Sequence, residues 1–198
     1  MNSKVKWMLG SVLVICLAGL LISLLPKEGQ DTIDDIKKIK AQESFAQGNK
    51  EYIVYFWQDA CSYCKQIENA VLEYRKTGET PIYIVDMGDT ENADSWYDWQ
   101  AHHNMYDKVI GRIENGKEIT DANINPAEFL NDKEVVWSIQ SGADNKLIAV
   151  HQTPFENKTP ASAAKLAITG TPTMLKIDEG MLSDYRVGVE ETVGLLKN

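Results

Sequence analysis

The chain has 198 residues, 20 basic against 29 acidic side chains, and a formal net charge of −9 at pH 7. That length supplies about one domain's worth of core. The acidic balance argues against nucleic acid or an anionic lipid surface as a partner.

Trp7 to Leu25 holds no charged residue and is dominated by Leu, Val and Ile. Nineteen residues at about 1.5 Å each reach roughly 28 Å, enough to cross the hydrocarbon core of a bilayer. Lys4 and Lys6 precede the run, and Lys27, Glu28 and Asp31 follow it. The positive-inside bias therefore predicts a cytoplasmic segment 1–6, a single-pass anchor 7–25 and an extracytoplasmic part 26–198. The competing reading is a cleaved signal peptide, but the run is longer than a usual apolar core and no small-x-small cleavage site follows. Cys16 follows Ile15, where a lipidated cysteine would need a small residue, and is read as an ordinary apolar residue of the span. Beyond the anchor, 18 basic residues face all 29 acidic ones, a net of −11.

Asp31 to Gln47 carries Ile33, Ile36, Ile39 and Phe45 among charges, which predicts an amphipathic helix stopped by Gly48-Asn49. Tyr52 to Trp57, β-branched and aromatic throughout, predicts a strand buried on both faces. A helix from about Cys61 to Lys76 follows, with Ile67, Ala70, Val71 and Tyr74 at helical spacing, then a second buried strand from Pro81 to Asp86. Strand, helix and strand in this order predict a βαβ unit, and catalytic groups in such sheets gather at the strand C-terminal ends, where Cys61 lies.

A folded segment of its own pattern, 89–157, comes next. Trp96, Trp99, His103, Tyr106 and Ile110 fall at helical spacing, which favours a packed core stripe over a peptide-binding face. Asn115-Gly116 signals a type I′ hairpin, Asn125-Pro126 a helix start, and Val135 to Ile139 with Leu147 to Val150 a second hairpin. Ala161 to Ile168 predicts a short helix broken at Thr169-Gly170-Thr171-Pro172. Thr173 to Ile177 predicts a strand, Asp178-Glu179-Gly180 a turn, Tyr185 to Val187 the returning strand and Glu190 to Lys197 a last helix.

Cys61-Ser62-Tyr63-Cys64 stands where the first strand gives way to the helix. A thiol at a helix N-terminus lies in the positive end of the macrodipole, which favours its thiolate. Two cysteines three residues apart close too small a loop to be a useful structural staple, so a redox pair is the favoured reading. A zinc site would need two further ligands. His102, His103 and His151 are the only histidines, the first two are adjacent and point to different helix faces, and no second CxxC exists, so no metal is expected.

Taken together, Tyr55 to Lys65 and Ala164 to Leu175 resemble the strand, active-site turn, helix start and cis-proline segment of the thioredoxin superfamily, and Gly188 fits its C-terminal pattern. The likeness covers 31–88 and 158–198. It implies an α/β thioredoxin-like fold, a central mixed sheet flanked by helices, with 89–157 as a large α+β insertion before the cis-proline helix. The insertion and the anchor together are similar to membrane-tethered thioredoxin-like proteins of Gram-positive bacteria, including those described as bacteriocin-transport accessory proteins.

By that resemblance Cys61 is the nucleophile and Cys64 the resolving thiol. Pro172 is cis and sets the Thr171 backbone beside them to pair with an extended substrate, with Tyr63 also at the substrate face. Ser62, Tyr63, Tyr55 and Asp59 are the residues expected to tune the redox chemistry. Tyr55 replaces the family's buried acid six residues before the first cysteine. Ala60 replaces a tryptophan, opening the rim, and Ser62-Tyr63 replaces Gly-Pro, a sequence that together with Thr171 looks more like the disulfide isomerases of the bacterial envelope. Reductase, isomerase and oxidase directions all remain open. The implied function is a cofactor-free, membrane-tethered thiol–disulfide oxidoreductase acting on cysteines of exported proteins, with a membrane electron-relay protein as a possible partner. The alternative, from a different class, is a non-catalytic accessory module of an export apparatus that docks through the insertion.

Overall fold

The computed structural model describes residues 31–78 and 80–197. The expected anchor at 7–25 lies outside the described residues, among which no helix is long and apolar enough to cross a membrane. The chain divides into two compact units, Met1–Asp35 and Ile36–Asn198. Of the first, residues 31–35 are described; they form a 3-10 turn, Ile33–Asp35, closed by the Thr32 N–H and hydroxyl donating to Asp35 Oδ2.

The second unit is built on strand β1 (Glu51–Trp57), which is buried from Tyr52 to its end. Helix α1 (Ser62–Thr77) leads from it to β2 (Ile82–Asp86), which pairs with β1 in parallel from Ile53–Ile82 to Trp57–Asp86. On its other side β1 pairs antiparallel with β7 (Thr173–Asp178), and β8 (Met181–Val187) closes the order β2-β1-β7-β8. The last helix, α4 (Gly188–Leu195), starts two residues before the expected position. Period-two alternation sends Tyr52, Val54 and Phe56 into a cluster with Tyr83, Val85, Leu175 and Ile177. Ile53, Tyr55 and Trp57 therefore face the opposite side of the sheet.

The helix expected over Asp31 to Gln47 does not form. Its apolar residues recur every three positions, a spacing that drifts off one face of a 3.6-residue helix but suits extended chain. The Ile39 N–H donates to the Ile84 carbonyl (2.8 Å) and the Ile84 N–H to the Lys37 carbonyl (3.0 Å), so residues 37–39 run alongside β2. Ile84 is fully buried, and its backbone groups need these partners. A 3-10 turn, Ala41–Glu43, ends the segment. Buried Asn92 clamps it: its Oδ1 accepts the Ala41 N–H at 2.8 Å and its Nδ2 donates to the Asp86 carbonyl at 2.8 Å.

Between β2 and β7 the chain builds a second sheet. A 3-10 segment (Thr90–Ser95) and α2 (Trp99–Tyr106) lead into β3 (Lys108–Glu114), which hairpins into β4 (Lys117–Thr120). Asn115 and Gly116 hold φ of 51° and 74°, as a type I′ turn requires. Helix α3 (Pro126–Leu130) starts from an Asn125 cap, and β5 (Trp137–Ser141) hairpins into β6 (Lys146–His151). The two hairpins join through β3 and β6 in the order β4-β3-β6-β5, over a core of Ile110, Leu147 and Ala149 packed by Phe129 and Trp137.

The aromatic stripe is shorter than its spacing predicts. Only Trp99, His103 and Tyr106 lie on α2, while Trp96 precedes the helix and Ile110 sits in β3. The short helix expected over Ala161 to Ile168 reduces to a 3-10 turn, Ala163–Lys165. Ile168 instead bridges Trp96, accepting the Tyr97 N–H (3.0 Å) and donating its own N–H to Ser95 (2.8 Å). Backbone pairing with the inserted segment takes the place of helical bonds.

Candidate active site

Phe56 and Trp57 end β1 in the core, and the Gln58-Asp59-Ala60 turn carries the chain to Cys61, the N-cap of α1. Cys61 keeps extended backbone angles (φ −81°, ψ 111°), and its sulfur accepts the Cys64 N–H at 3.0 Å, doing the work of a capping serine. Its carbonyl accepts the Lys65 N–H and its own N–H reaches Gln58. Cys61 is partly exposed, whereas Cys64, Ile67 and Val71 form the buried face of α1. Both cysteines are free thiols.

Thr171-Pro172 is a cis peptide bond, and the Thr171 carbonyl accepts the Cys61 thiol at 3.3 Å. Residues 110 apart in sequence thus meet at the tip of the sheet. The Pro172 carbonyl accepts the Gly188 N–H at 2.8 Å, and Gly188 needs φ of 82°, a conformation easy only for glycine. Thr173 donates its hydroxyl to the Gly170 carbonyl at 2.7 Å, tightening the same loop.

The two thiols differ. Partial burial disfavours a Cys61 thiolate, but hydrogen bonds from the Cys64 and Thr171 side chains and from the Cys64 and Tyr63 backbone outweigh it, and its pKa falls below the ordinary thiol value. Burial pushes Cys64 up to about 11, helped by its side-chain bond with Cys61 and opposed by the Gln58 backbone, Thr171 and Tyr55. Cys61 is thus the thiol that ionises first and reaches solvent.

Around them, Ser62 and Tyr63 are exposed, Tyr63 at 60%, beside the cysteines on the first turn of α1. Asp59 is exposed too; with Gln58, Ala60, Asp86, Gly88 and Asp89 it lines an open cleft of about 450 Å³. It is not among the leading influences on Cys61. Tyr55 is wholly buried behind the site.

Sequence reading did not single out what holds the cis-proline loop. Trp99 Nε1 donates to the Thr169 carbonyl at 3.1 Å, and the Thr169 hydroxyl donates to Glu156 Oε1 at 2.6 Å. Trp96 Nε1 similarly donates to the Met87 carbonyl at 3.1 Å. The tryptophans read as core are thus also hydrogen-bond struts between the inserted segment and the strand ends. Their spacing was visible, but the backbone targets of their ring N–H groups were not.

Beside Trp99 lies a second polar cluster. His102, 3% exposed, sets its Nε2 2.9 Å from His151 Nδ1 and its Nδ1 2.7 Å from the Tyr97 hydroxyl. Asp107 Oδ1 binds His103 Nδ1 (3.1 Å) and accepts the His151 N–H (2.9 Å). Burial first, then the neighbouring His151, lowers the pKa of His102. Among the described residues no group of three or more His, Cys, Asp or Glu side chains is placed to hold a metal ion.

Residues 39–182 match the family model of a thioredoxin-like domain, a span that contains both the cysteine pair and Pro172. No curated protein matches the sequence. Similar solved structures include a mutant thioredoxin from Halobacterium salinarum at 13% identity, covering 85% of this chain and 91% of that one with a TM-score of 0.38. Oxidized mitochondrial thioredoxin 3 from Saccharomyces cerevisiae matches at 12% identity, over 83% and 92%, with a TM-score of 0.40. A chain from a study of thiol resolution in a yeast mitochondrial 1-Cys peroxiredoxin via the glutathione/thioredoxin systems matches at 12%, over 84% and 95%, also at 0.40.

Proposed function

Because this chain belongs to the thioredoxin-like domain family, we propose that Cys61 and Cys64 are the working pair of a protein thiol–disulfide oxidoreductase. The observation that carries the reading is the Cys61 sulfur, partly exposed, capping α1 and bonded to the carbonyl of Thr171 before a cis proline. Cys61 attacks one sulfur of a substrate disulfide and expels the other as a thiolate. Cys64 then attacks Cys61, releasing the second substrate thiol and closing the Cys61–Cys64 disulfide; oxidation of a substrate runs the same steps backwards. Thr171 offers its backbone, and Tyr63 its exposed ring, to an extended segment of the substrate.

The charge-free run 7–25 supports a membrane anchor with the thiol pair outside the cytoplasm, where exported proteins with cysteines are the substrates and a membrane protein relays electrons. Resistance of the full chain to alkaline extraction, lost on deleting 7–25, and labelling of Cys61 in intact cells by a membrane-impermeant maleimide test that placement. Cys61→Ala abolishes turnover of a disulfide substrate, and Cys64→Ala accumulates mixed disulfides. Activity and trapping unaltered by either change would rule the reading out. Equilibration of the pair with glutathione assigns the direction: a strongly reducing potential makes it a reductase, a high one an oxidase.

A second reading draws on the exposed apolar residues of the inserted segment, Val109, Leu130 and Val136, as a docking face of an export-accessory module. Full biological activity of a Cys61→Ser, Cys64→Ser double variant would favour it over catalysis.

A further inference from the structure

Tyr55 sits in the middle of β1 with no exposed surface, and its hydroxyl is buried without a hydrogen-bond partner. Buried hydroxyls in proteins are nearly always paired, so this one calls for an explanation. The ring lies on the face of the sheet opposite Tyr52, Val54 and Phe56. Its strongest polar neighbour there is the Cys64 thiol, with Cys61 and Glu68 acting at longer range. Cys64 is equally buried. The hydroxyl and that sulfur act on each other's ionisation through their side chains, Tyr55 lowering the pKa of Cys64 and Cys64 raising that of Tyr55, but their geometry falls short of a closed hydrogen bond.

Burial drives the Tyr55 phenol far above its ordinary pKa, with Cys64 adding to the effect. The phenol keeps its proton at any working pH, so it can donate a hydrogen bond but cannot serve as a base. An acid at this position could do either.

We propose that the Tyr55 hydroxyl is the hydrogen-bond donor to the Cys64 thiolate formed during disulfide exchange, making Tyr55 a positioning residue for the resolving sulfur. The proposal rests on the reading of Cys61 and Cys64 as the working pair. When a thiolate R–S⁻ attacks Cys61 in the oxidised pair, an S–S bond forms between R–S and Cys61. The Cys61–Cys64 bond breaks, and its electron pair leaves on Cys64. Tyr55 turns its O–H onto that anion, and the thiolate later takes a proton from solvent. In the reverse step Cys64 loses its proton, attacks Cys61 and expels R–S⁻, which ends as R–SH after protonation. Tyr55 keeps its own proton in both directions. A leaving sulfur stabilised in this way departs faster, because exchange rates rise as the leaving thiol's pKa falls. The orphan hydroxyl of the free-thiol state is then a donor held ready for the charged one.

The test uses the full chain and Tyr55→Phe, which keeps the ring and its packing. The oxidised protein is opened by dithiothreitol under stopped flow, and the reduced protein is alkylated at Cys61 by iodoacetamide at the same pH. A charge-assisted bond only partly formed at the transition state predicts opening about three- to tenfold slower in Tyr55→Phe, with Cys61 alkylation unchanged. Equal opening rates, or a slowing matched by slower Cys61 alkylation, overturn the proposal. A wild-type pair that does not exchange with dithiothreitol overturns the thiol-pair reading as well, and is recognised by inactivity in both proteins. Removing an unpaired hydroxyl predicts a melting temperature unchanged or raised, so a slower variant that also melts lower marks a packing defect and counts against the proposal.

Discussion

Asn92→Leu removes the clamp between residues 37–41 and the first sheet while keeping a side chain of similar volume. Two hydrogen bonds are lost, but their consequences differ. The Asp86 carbonyl still accepts the Asp89 N–H at 3.1 Å, so it stays satisfied. The Ala41 N–H, on a residue with no exposed surface, is left without its acceptor. An orphaned buried donor costs about 1–3 kcal/mol, so the expected loss is about 2 kcal/mol. In a chain of this size that corresponds to a fall of roughly 4–8 °C in Tm. Urea unfolding followed by tryptophan fluorescence measures it, with an unchanged slope showing that stability and not compactness moved. Hydrogen exchange should place the opening at the Ile39 and Ile84 amides, which pair the extended segment to β2. A loss below about 0.5 kcal/mol, the ordinary scatter of neutral substitutions, would refute the assignment of this strap to one buried amide.

Three further outcomes follow from the site and its supports. Because the pKa of Cys61 is lowered and that of Cys64 is raised to about 11, iodoacetamide at pH 6.5–7.5 should modify Cys61 alone; mass spectrometry of the labelled peptide that finds equal labelling would contradict the asymmetry. His102 has a pKa depressed by burial and then by His151, so below pH 6.5 the unfolded chain binds more protons than the folded one. Its contribution to stability is complete above the unfolded value and declines as pH falls toward the depressed folded value. Urea midpoints at pH 7.5 and 5.5 should therefore converge in His102→Asn relative to wild type. Trp99→Phe deletes the donor to the Thr169 carbonyl and should cost about 1 kcal/mol in stability. Turnover of a protein disulfide should slow several-fold while dithiothreitol opening holds; equal loss on both substrates would show that the strut does not act through the cis-proline loop.

Much of the site was legible because its signals are local. β1, α1 and β2 follow from an unbroken apolar run, a 3.6-residue stripe and a second apolar run, and the cysteines fall where the period changes. Asn115-Gly116 specifies its turn through positive φ angles that few other residues accept, and Asn125-Pro126 its helix start through the Asn125 side-chain cap and a proline at the first helical position. The segment from Asp31 to Gln47 misled because a spacing of three imitates a helix over a short window, and only the exposed edge of β2 decides the outcome. Ala161 to Ile168 lost its helix to the same kind of competition, with Ser95 and Tyr97 supplying partners for Ile168. The joining of two hairpins through β3 and β6, and the pairing of His102 with His151 across 49 residues, depend on contacts that no sequence window contains.

The strand order carries a consequence for how the protein is made. β1 pairs with β2 through nearby sequence, but its other neighbour, β7, comes only after the entire second sheet. The second sheet is built from two hairpins that close short loops, whereas β1 and β7 must close a very long one, a slower event. A chain emerging N-terminus first therefore presents Cys61 and Cys64 well before Thr171 and Pro172 exist to face them. During that interval the thiols lack the carbonyl that holds Cys61 in the finished site, and they are open to any oxidant or stray disulfide in the compartment. A second thiol three residues from the first is in place to displace an adduct from Cys61 once α1 forms.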